Sequence, residues 1–198
     1  METLALELTK KFIDREIINP DNKETYITGL KLILSDIINF SLIFLIGILT
    51  KSFIDSCIYL VVFWTVRKFS GGFHAKTYAV CRIVTVGTYI LIFFAGKIID
   101  DYYTIITLVC NIFAIVTMVA FVPVRHPNKV LTDKEIKANK LFALITTLFF
   151  ALVSVALAVF NRKEGLVIAL TLFAVTALIY AGLLKNRRKE GKCNVQNK

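Results

Sequence analysis

The stretch LILSDIINFSLIFLIGIL, residues 32–49, decides the fold class of this chain. Asp36 is its only charged residue. A run of roughly 18 to 20 such residues crosses a hydrocarbon core of about 30 Å as an α-helix. Five further apolar stretches follow, at residues 53–66, 83–99, 102–122, 141–160 and 164–184. The sequence therefore predicts an all-α protein, a polytopic transmembrane bundle of about six helices.

The composition also favours a membrane fold over a soluble one. Hydrophobic residues make up 57% of the 198-residue chain, more than one soluble core of this length can bury. We expect a single integral membrane domain over residues 1–198. It would consist of a cytoplasmic N-terminus (1–31), six spans within 32–184 and a basic cytoplasmic tail (185–198).

The first residues have the pattern of an amphipathic helix that lies on the membrane surface. Apolar and basic side chains alternate at helical spacing, with Leu4, Leu8 and Phe12 on one side and Lys10, Lys11 and Arg15 on the other.

Basic residues predict the orientation in the membrane. With a cytoplasmic N-terminus, the inner segments hold 20 Lys and Arg residues and the outer segments hold four. The outer four are Lys51, Lys97, Arg162 and Lys163. This asymmetry follows the positive-inside rule and places both termini in the cytoplasm. The net charge of +10 is therefore read as attraction to lipid headgroups, and no nucleic-acid motif accompanies it.

Two carboxylates lie within or beside apolar spans, where an ionisable group is costly unless it is paired or wet. Asp55 is one helical turn from Lys51, which favours an interfacial ion pair. Asp36 lies about one turn into the first span and is a candidate functional residue.

The segment RKFSGGFHAKTYAVCR, residues 67–82, carries the chemistry, at the expected cytoplasmic edge of the membrane. A thiol attacks a carbonyl as the thiolate, and an ordinary thiol is only slightly ionised at neutral pH. His74 could take the proton of Cys81, and cations such as Lys76 or Arg82 would favour the anion. These residues are a candidate base and nucleophile. No set of three or four metal ligands is present, so neither a metal nor another cofactor is expected.

The spacing of this pair predicts a bent or re-entrant segment near residues 67–82. On one straight helix, residues seven apart are separated by about 10.5 Å along the axis, beyond hydrogen-bond reach. Gly71 and Gly72 supply the backbone freedom for a turn just before His74. Cys81 would then lie near the start of the third span, where the helix dipole favours an anion.

These residues form a pattern that resembles the accessory gene regulator B (AgrB) family. The matching positions are Arg67-x-x-Ser70-Gly71-Gly72-x-His74-Ala75-Lys76, Cys81, and the later run PVRHPNK, residues 123–129. The resemblance implies a cysteine endopeptidase of the bacterial cell membrane. It would cut a quorum-sensing propeptide through an acyl-thioester on Cys81, with His74 as base, and promote closure to a thiolactone or lactone.

The resemblance implies further roles. Arg67 matches an arginine that the family needs. Lys31 stands where the family commonly has an acidic residue, so the orienter of His74 stays open, with Asp36 as one candidate. Ser70, Thr77 or backbone N–H groups after the glycine pair are candidate oxyanion donors.

The expected substrate has an amphipathic membrane-bound part and an acidic tail, which basic loop residues would attract: Lys129, Lys134, Lys137 and Lys140. The positive-inside rule alone, with the lysines serving only to keep this loop in the cytoplasm, explains them at least as well. Family resemblance also suggests a homodimer. The competing interpretation is a non-catalytic membrane protein, either a peptide exporter or an assembly scaffold.

Overall fold

The computed structural model describes residues 2–15, 17–19, 23–70, 78–99, 102–122, 133–160 and 162–196. Side chains are not described at positions 2, 78, 133 and 185–196. This part of the chain is entirely helical outside its turns, which confirms the predicted all-α class. The helices are α1 (Glu2–Asp14), α2 (Lys23–Leu49), α3 (Phe53–Ser70), α4 (Tyr78–Ile98), α5 (Tyr103–Phe121), α6 (Asp133–Val159) and α7 (Glu164–Gln196).

Five of the described helices, namely α2, α4, α5, α6 and α7, are long and apolar enough to cross a membrane. The predicted second span corresponds to α3, which has 18 residues and carries Asp55, Arg67 and Lys68. These three charges explain why composition alone does not mark α3 as a span. At about 1.5 Å per residue, however, α3 is about 27 Å long, close to the hydrocarbon thickness.

Helices α2 to α7 alternate in direction, so the bundle has two distinct ends. At the first end, which we call the Cys81 end, the rings of Phe69 in α3 and Phe142 in α6 stack at 5.4 Å. At the second, the Lys51 end, the α2–α3 turn lies beside the last turn of α4 and the first turn of α7. The contacts Ser56–Tyr89 and Tyr59–Thr85 show that α3 and α4 run in opposite directions. Residues 71–77 between them, where the bend is predicted, lie outside the described residues.

The centre of the bundle is formed by α7 and α3. In α7, 56% of the 18-residue apolar stretch is buried inside the protein, against 17–33% for the corresponding stretches of the other four candidate spans. Helix α7 packs against α3, α4, α5 and α6, so it has little surface left for lipid. The remaining spans expose one apolar face each, as expected for helices surrounded by acyl chains.

The predicted N-terminal helix is present as α1, which packs against α2. Ala5 and Thr9 form its fully buried side, and the Thr9 hydroxyl donates a hydrogen bond to the Ala5 carbonyl at 2.7 Å. Leu4 and Leu6 remain exposed. Leu4, together with the half-buried Leu8 and Phe12, lies along one side of the helix, which is consistent with contact with a membrane surface.

The turn between α2 and α3 closes with a lysine in a conformation that favours glycine. The Ser52 N–H donates to the Gly47 carbonyl at 2.8 Å, and the Lys51 N–H donates to the Ile48 carbonyl at 3.2 Å. These two bonds form a Schellman motif, in which the residue after the cap is left-handed. That residue is Lys51, with φ of 57°. Such a conformation costs an L-residue roughly 1–2 kcal/mol.

A buried polar cluster joins α5, α6 and α7. The Ser154 hydroxyl donates to the Gly165 carbonyl at 2.7 Å and lies 3.2 Å from the amide nitrogen of Asn111. Gly165 allows this approach, because a Cβ there would lie 2.5 Å from the Ser154 carbonyl oxygen and 2.9 Å from the Ala158 nitrogen. Both contacts are to backbone, which cannot move aside without displacing α6.

We therefore expect Gly165→Ala to destabilise the bundle by about 1–3 kcal/mol, the usual cost of overpacking. The thermal unfolding midpoint of the detergent-solubilised protein should fall. Gly87→Ala is the matched control, since an added Cβ there meets nothing within 4 Å and alanine favours the helix. Equal midpoints for the two variants would show that α6 and α7 do not pack this closely.

Candidate active site

Five residues connect α3 to α4 across the buried interface between these helices, four through their hydroxyl groups and Thr85 through its backbone carbonyl. The Tyr59 hydroxyl donates to the Thr85 carbonyl at 2.8 Å and lies 2.7 Å from the Thr88 hydroxyl. One turn nearer the Lys51 end, the hydroxyls of Ser56 and Tyr89 are 2.9 Å apart. Both tyrosines are almost completely buried. We call these five residues the hydroxyl ladder, and it fixes α4 against α3.

Cys81 lies one helical turn beyond this ladder, in the first turn of α4 and away from the Lys51 end. The Thr85 hydroxyl donates to the Cys81 carbonyl at 3.0 Å, while the Thr85 carbonyl accepts from Tyr59. The position of Cys81 is therefore tied through Thr85 to α3. Its thiol is half-buried and free of any disulfide. The first turn of a helix favours a negative charge, because the helix dipole is positive there.

Arg67 and Ser70 lie in the last turn of α3, at the same end of the bundle as Cys81. The Arg67 guanidinium carbon lies 5.2 Å from the centroid of the Phe63 ring, so the charge rests on an aromatic face. Arg67 also interacts electrostatically with Asp36 of α2. Ser70 is completely buried.

Arg67, Ser70 and Cys81 thus lie at one end of the bundle on two helices, and the charge of Arg67 acts on Asp36 of a third, α2. Asp36 is exposed on α2. The other predicted residues of the segment, Gly71, Gly72, His74 and Lys76, lie outside the described residues. So does Thr77, the alternative oxyanion donor.

Lysines of the predicted substrate-binding surface lie at the same end. Lys134 and Lys137 are exposed in the first turns of α6, and Lys140 is exposed one turn further along. The contact between Phe69 and Phe142 fixes this part of α6 next to the last turn of α3. Lys129 and His126 lie outside the described residues.

Sequence reasoning did not identify the hydroxyl ladder. Its signal was nonetheless present, because its members recur at helical spacing: Ser56 and Tyr59 in one span, and Thr85, Thr88 and Tyr89 in another. Polar side chains that share a face of a membrane helix usually mark the side that packs against other helices. In the part of the chain that the structure describes, no three His, Cys, Asp or Glu side chains lie close enough to hold a metal ion.

Comparison with known families identifies the chain. Residues 2–181 match the model of the family described as accessory gene regulator B, AgrB. The matched region includes both the 67–82 segment and the basic segment 123–140. This chain belongs to the AgrB family.

AgrB membership agrees with the resemblance predicted from the motifs. An AgrB-like protein of Clostridium perfringens strain SM101 is 26% identical over 167 residues, covering 79% of this chain and 78% of the relative. No solved structure matches the chain. Together with the apolar helices, AgrB membership makes the protein a multi-pass membrane protein of an accessory gene regulator system, with a role in quorum sensing.

The ladder predicts that Tyr59→Phe loosens the start of α4 in this AgrB protein. Removing the hydroxyl deletes two contacts between α3 and α4, which should lower the free energy of unfolding by about 1 kcal/mol. The rate of maleimide labelling at Cys81 should rise, measured in a background that lacks the other three cysteines.

Tyr180→Phe provides the control for that labelling experiment. It removes the same atom, but from a 3.4 Å contact with Thr117 that joins α5 to α7. The ladder would not position Cys81 if both variants changed the labelling rate equally, or if neither did.

Proposed function

We propose that this protein is a membrane cysteine endopeptidase that removes the C-terminal part of an autoinducer propeptide and promotes cyclisation of the remainder. The observation that carries the proposal is the position of Cys81, a free, half-buried thiol in the first turn of α4. Arg67 and Ser70 lie in the last turn of the neighbouring helix, at the same end of the bundle. AgrB membership supports the same role in peptide signalling.

In the proposed first step, His74 takes the proton of the Cys81 thiol, and the sulfur attacks the scissile carbonyl carbon. The tetrahedral intermediate collapses as the C–N bond breaks. The imidazolium of His74 gives its proton to the leaving amine. The C-terminal fragment departs, and the remaining peptide is joined to Cys81 as a thioester.

In the second step, a thiol or hydroxyl of the bound peptide attacks the thioester carbon. The bond to Cys81 breaks, the sulfur recovers a proton, and a thiolactone or lactone ring forms. Reaction within one bound chain is favoured by proximity. Excluding water protects the thioester, because hydrolysis would yield a linear acid instead.

Supporting roles follow from the positions of the remaining residues. Arg67 would stabilise negative charge near the thiolate or hold Asp36, which is a candidate to orient His74. Ser70, or backbone N–H groups after it, would donate to the oxyanion. Lys76 would add positive charge beside the nucleophile.

The substrate and the orientation belong to the same proposal. With the Cys81 end in the cytoplasm, both termini are cytoplasmic and most basic residues face inward, as the positive-inside rule requires. The exposed lysines Lys134 and Lys137, together with Lys129, would attract the acidic tail of a propeptide whose amphipathic part lies on the membrane. We propose a homodimer as the functional unit, as the family relationship suggests.

Cleavage of the cognate propeptide tests the catalytic pair. We expect Cys81→Ala and His74→Ala each to reduce cleavage in co-expressing cells by at least about 1000-fold, since nucleophile and base act as a unit. Immunoblots of a tagged propeptide measure the ratio of cut to uncut peptide. Membrane fractions establish that the variants are inserted.

Cys57→Ala is the matched control, because Cys57 is also a half-buried free cysteine but lies on α3 towards the Lys51 end. It should cleave at the parental rate. If Cys81→Ala cleaves as well as Cys57→Ala, the peptidase assignment is wrong. The protein would then be a non-catalytic exporter or scaffold.

A further inference from the structure

A cavity of about 340 Å³ opens at the Lys51 end of the bundle, opposite the proposed active site. It lies between the α2–α3 turn, the last turns of α4 and the first turn of α7. Three lysines line it: Lys51, Lys97 and Lys163. These are three of the four basic residues that the positive-inside pattern leaves on this side, and the fourth, Arg162, is not part of the lining.

Three lysines against the carboxylates of Asp55 and Glu164 leave the described groups at the cavity with a small net positive charge. Asp55 is the acidic residue of the lining, and Glu164 interacts with it electrostatically. Positive groups still outnumber negative ones. The chain therefore concentrates at one point the positive charges that topology otherwise disfavours on this side.

Two of the lysines are positioned by specific features of the fold. The ammonium of Lys97 lies 4.5 Å from the centroid of the Phe93 ring, which also lines the cavity. Lys51 occupies the left-handed position of the α2–α3 turn, where glycine would fit without strain. A lysine at that position projects a charge into the cavity mouth at a conformational cost.

The polarity of the surroundings matches an amphiphile rather than a soluble anion. The lysines are exposed at the mouth, while Ile92 and Val167 are buried in the lining. Beside Lys97, the outer face of α4 is apolar and open, with Phe94 57% and Ile98 80% exposed. In a membrane protein that face contacts acyl chains, so the mouth is continuous with the lipid.

We propose that this cavity binds the phosphate headgroup of an anionic phospholipid, with its acyl chains against the outer face of α4. Basic pockets between transmembrane helices are known sites for anionic headgroups. The proposal does not depend on the catalytic function, since the cavity lies at the other end of the bundle.

Native mass spectrometry of the full chain, released from detergent, tests the proposal. Three probes are compared: phosphatidylglycerol, phosphatidylcholine and free glycerol phosphate. We expect preferential retention of phosphatidylglycerol. Each lysine-to-glutamine change in the cavity should weaken retention about fivefold, which corresponds to about 1 kcal/mol per cation near a headgroup. The triple variant should lose the preference altogether.

Matched variants separate the site from general surface charge and from misfolding. Arg162→Gln removes a neighbouring charge outside the lining and should stay within about twofold of the parent. Lys51→Gly removes a lining charge but suits the left-handed turn, so it should lose retention while the thermal midpoint is maintained. Gly96 and Gly87 are both open to an added Cβ, so valine should strain neither position. Gly96→Val fills the cavity mouth from α4 and should weaken retention. Gly87 is not part of the lining, so Gly87→Val should leave retention unchanged.

Three results would overturn the proposal. The first is phosphatidylglycerol retention by the triple variant at the parental level. The second is an equal loss in Arg162→Gln and Lys163→Gln. The third is binding of free glycerol phosphate as tight as that of the lipid, which would indicate a site for a soluble anion.

Discussion

A hydroxyl or amide group left unpaired in hydrocarbon costs several kcal/mol, and this cost shapes the packing of α3 against α4. The described structure avoids it between α3 and α4 by placing hydroxyl groups where the two helices meet, whereas the buried hydroxyls of Thr107 and Thr147 have no hydrogen-bond partner among the described residues. Between α3 and α4, the contacts Tyr59–Thr85 and Ser56–Tyr89 form a ladder of hydrogen bonds. Because Thr85 also bonds to Cys81, the same contacts that satisfy buried polar groups fix the proposed nucleophile. Helix packing and the position of Cys81 therefore have one physical source in this interface.

The ladder also extends towards the opposite end of the molecule. Tyr89, its last member, lines the lysine cavity, and Cys81 lies two turns away along the same helix. Helix α4 thus carries the proposed nucleophile near its first residue and the cavity residues near its last. Helix α7 packs against α4 from the centre of the bundle, and its close contact with α6 requires Gly165.

The sequence was sufficient to predict the helical membrane fold, because the apolar stretches are long and the charges lie between them. Helix α3 was predicted from its apolar core although Arg67 and Lys68 reduce its apolarity. The segment that holds Cys81 was identified from residue types alone. What could not be predicted was how the helices pair, since a stretch such as 83–99 has no feature that specifies its neighbour. The hydroxyl ladder and the lysine cavity both depend on that pairing, as Lys51, Lys97 and Lys163 are far apart in the chain.

The central claim is that the sulfur of Cys81 forms a covalent bond to the peptide. Intact-protein mass spectrometry of the membrane-inserted chain, quenched in acid during turnover of its propeptide, tests it directly. The account predicts an added mass equal to the N-terminal part of the propeptide, located on Cys81, released by neutral hydroxylamine and absent in Cys81→Ala. Cleavage that proceeds with no such adduct, or with an adduct on Cys57 or Cys110, would contradict the account.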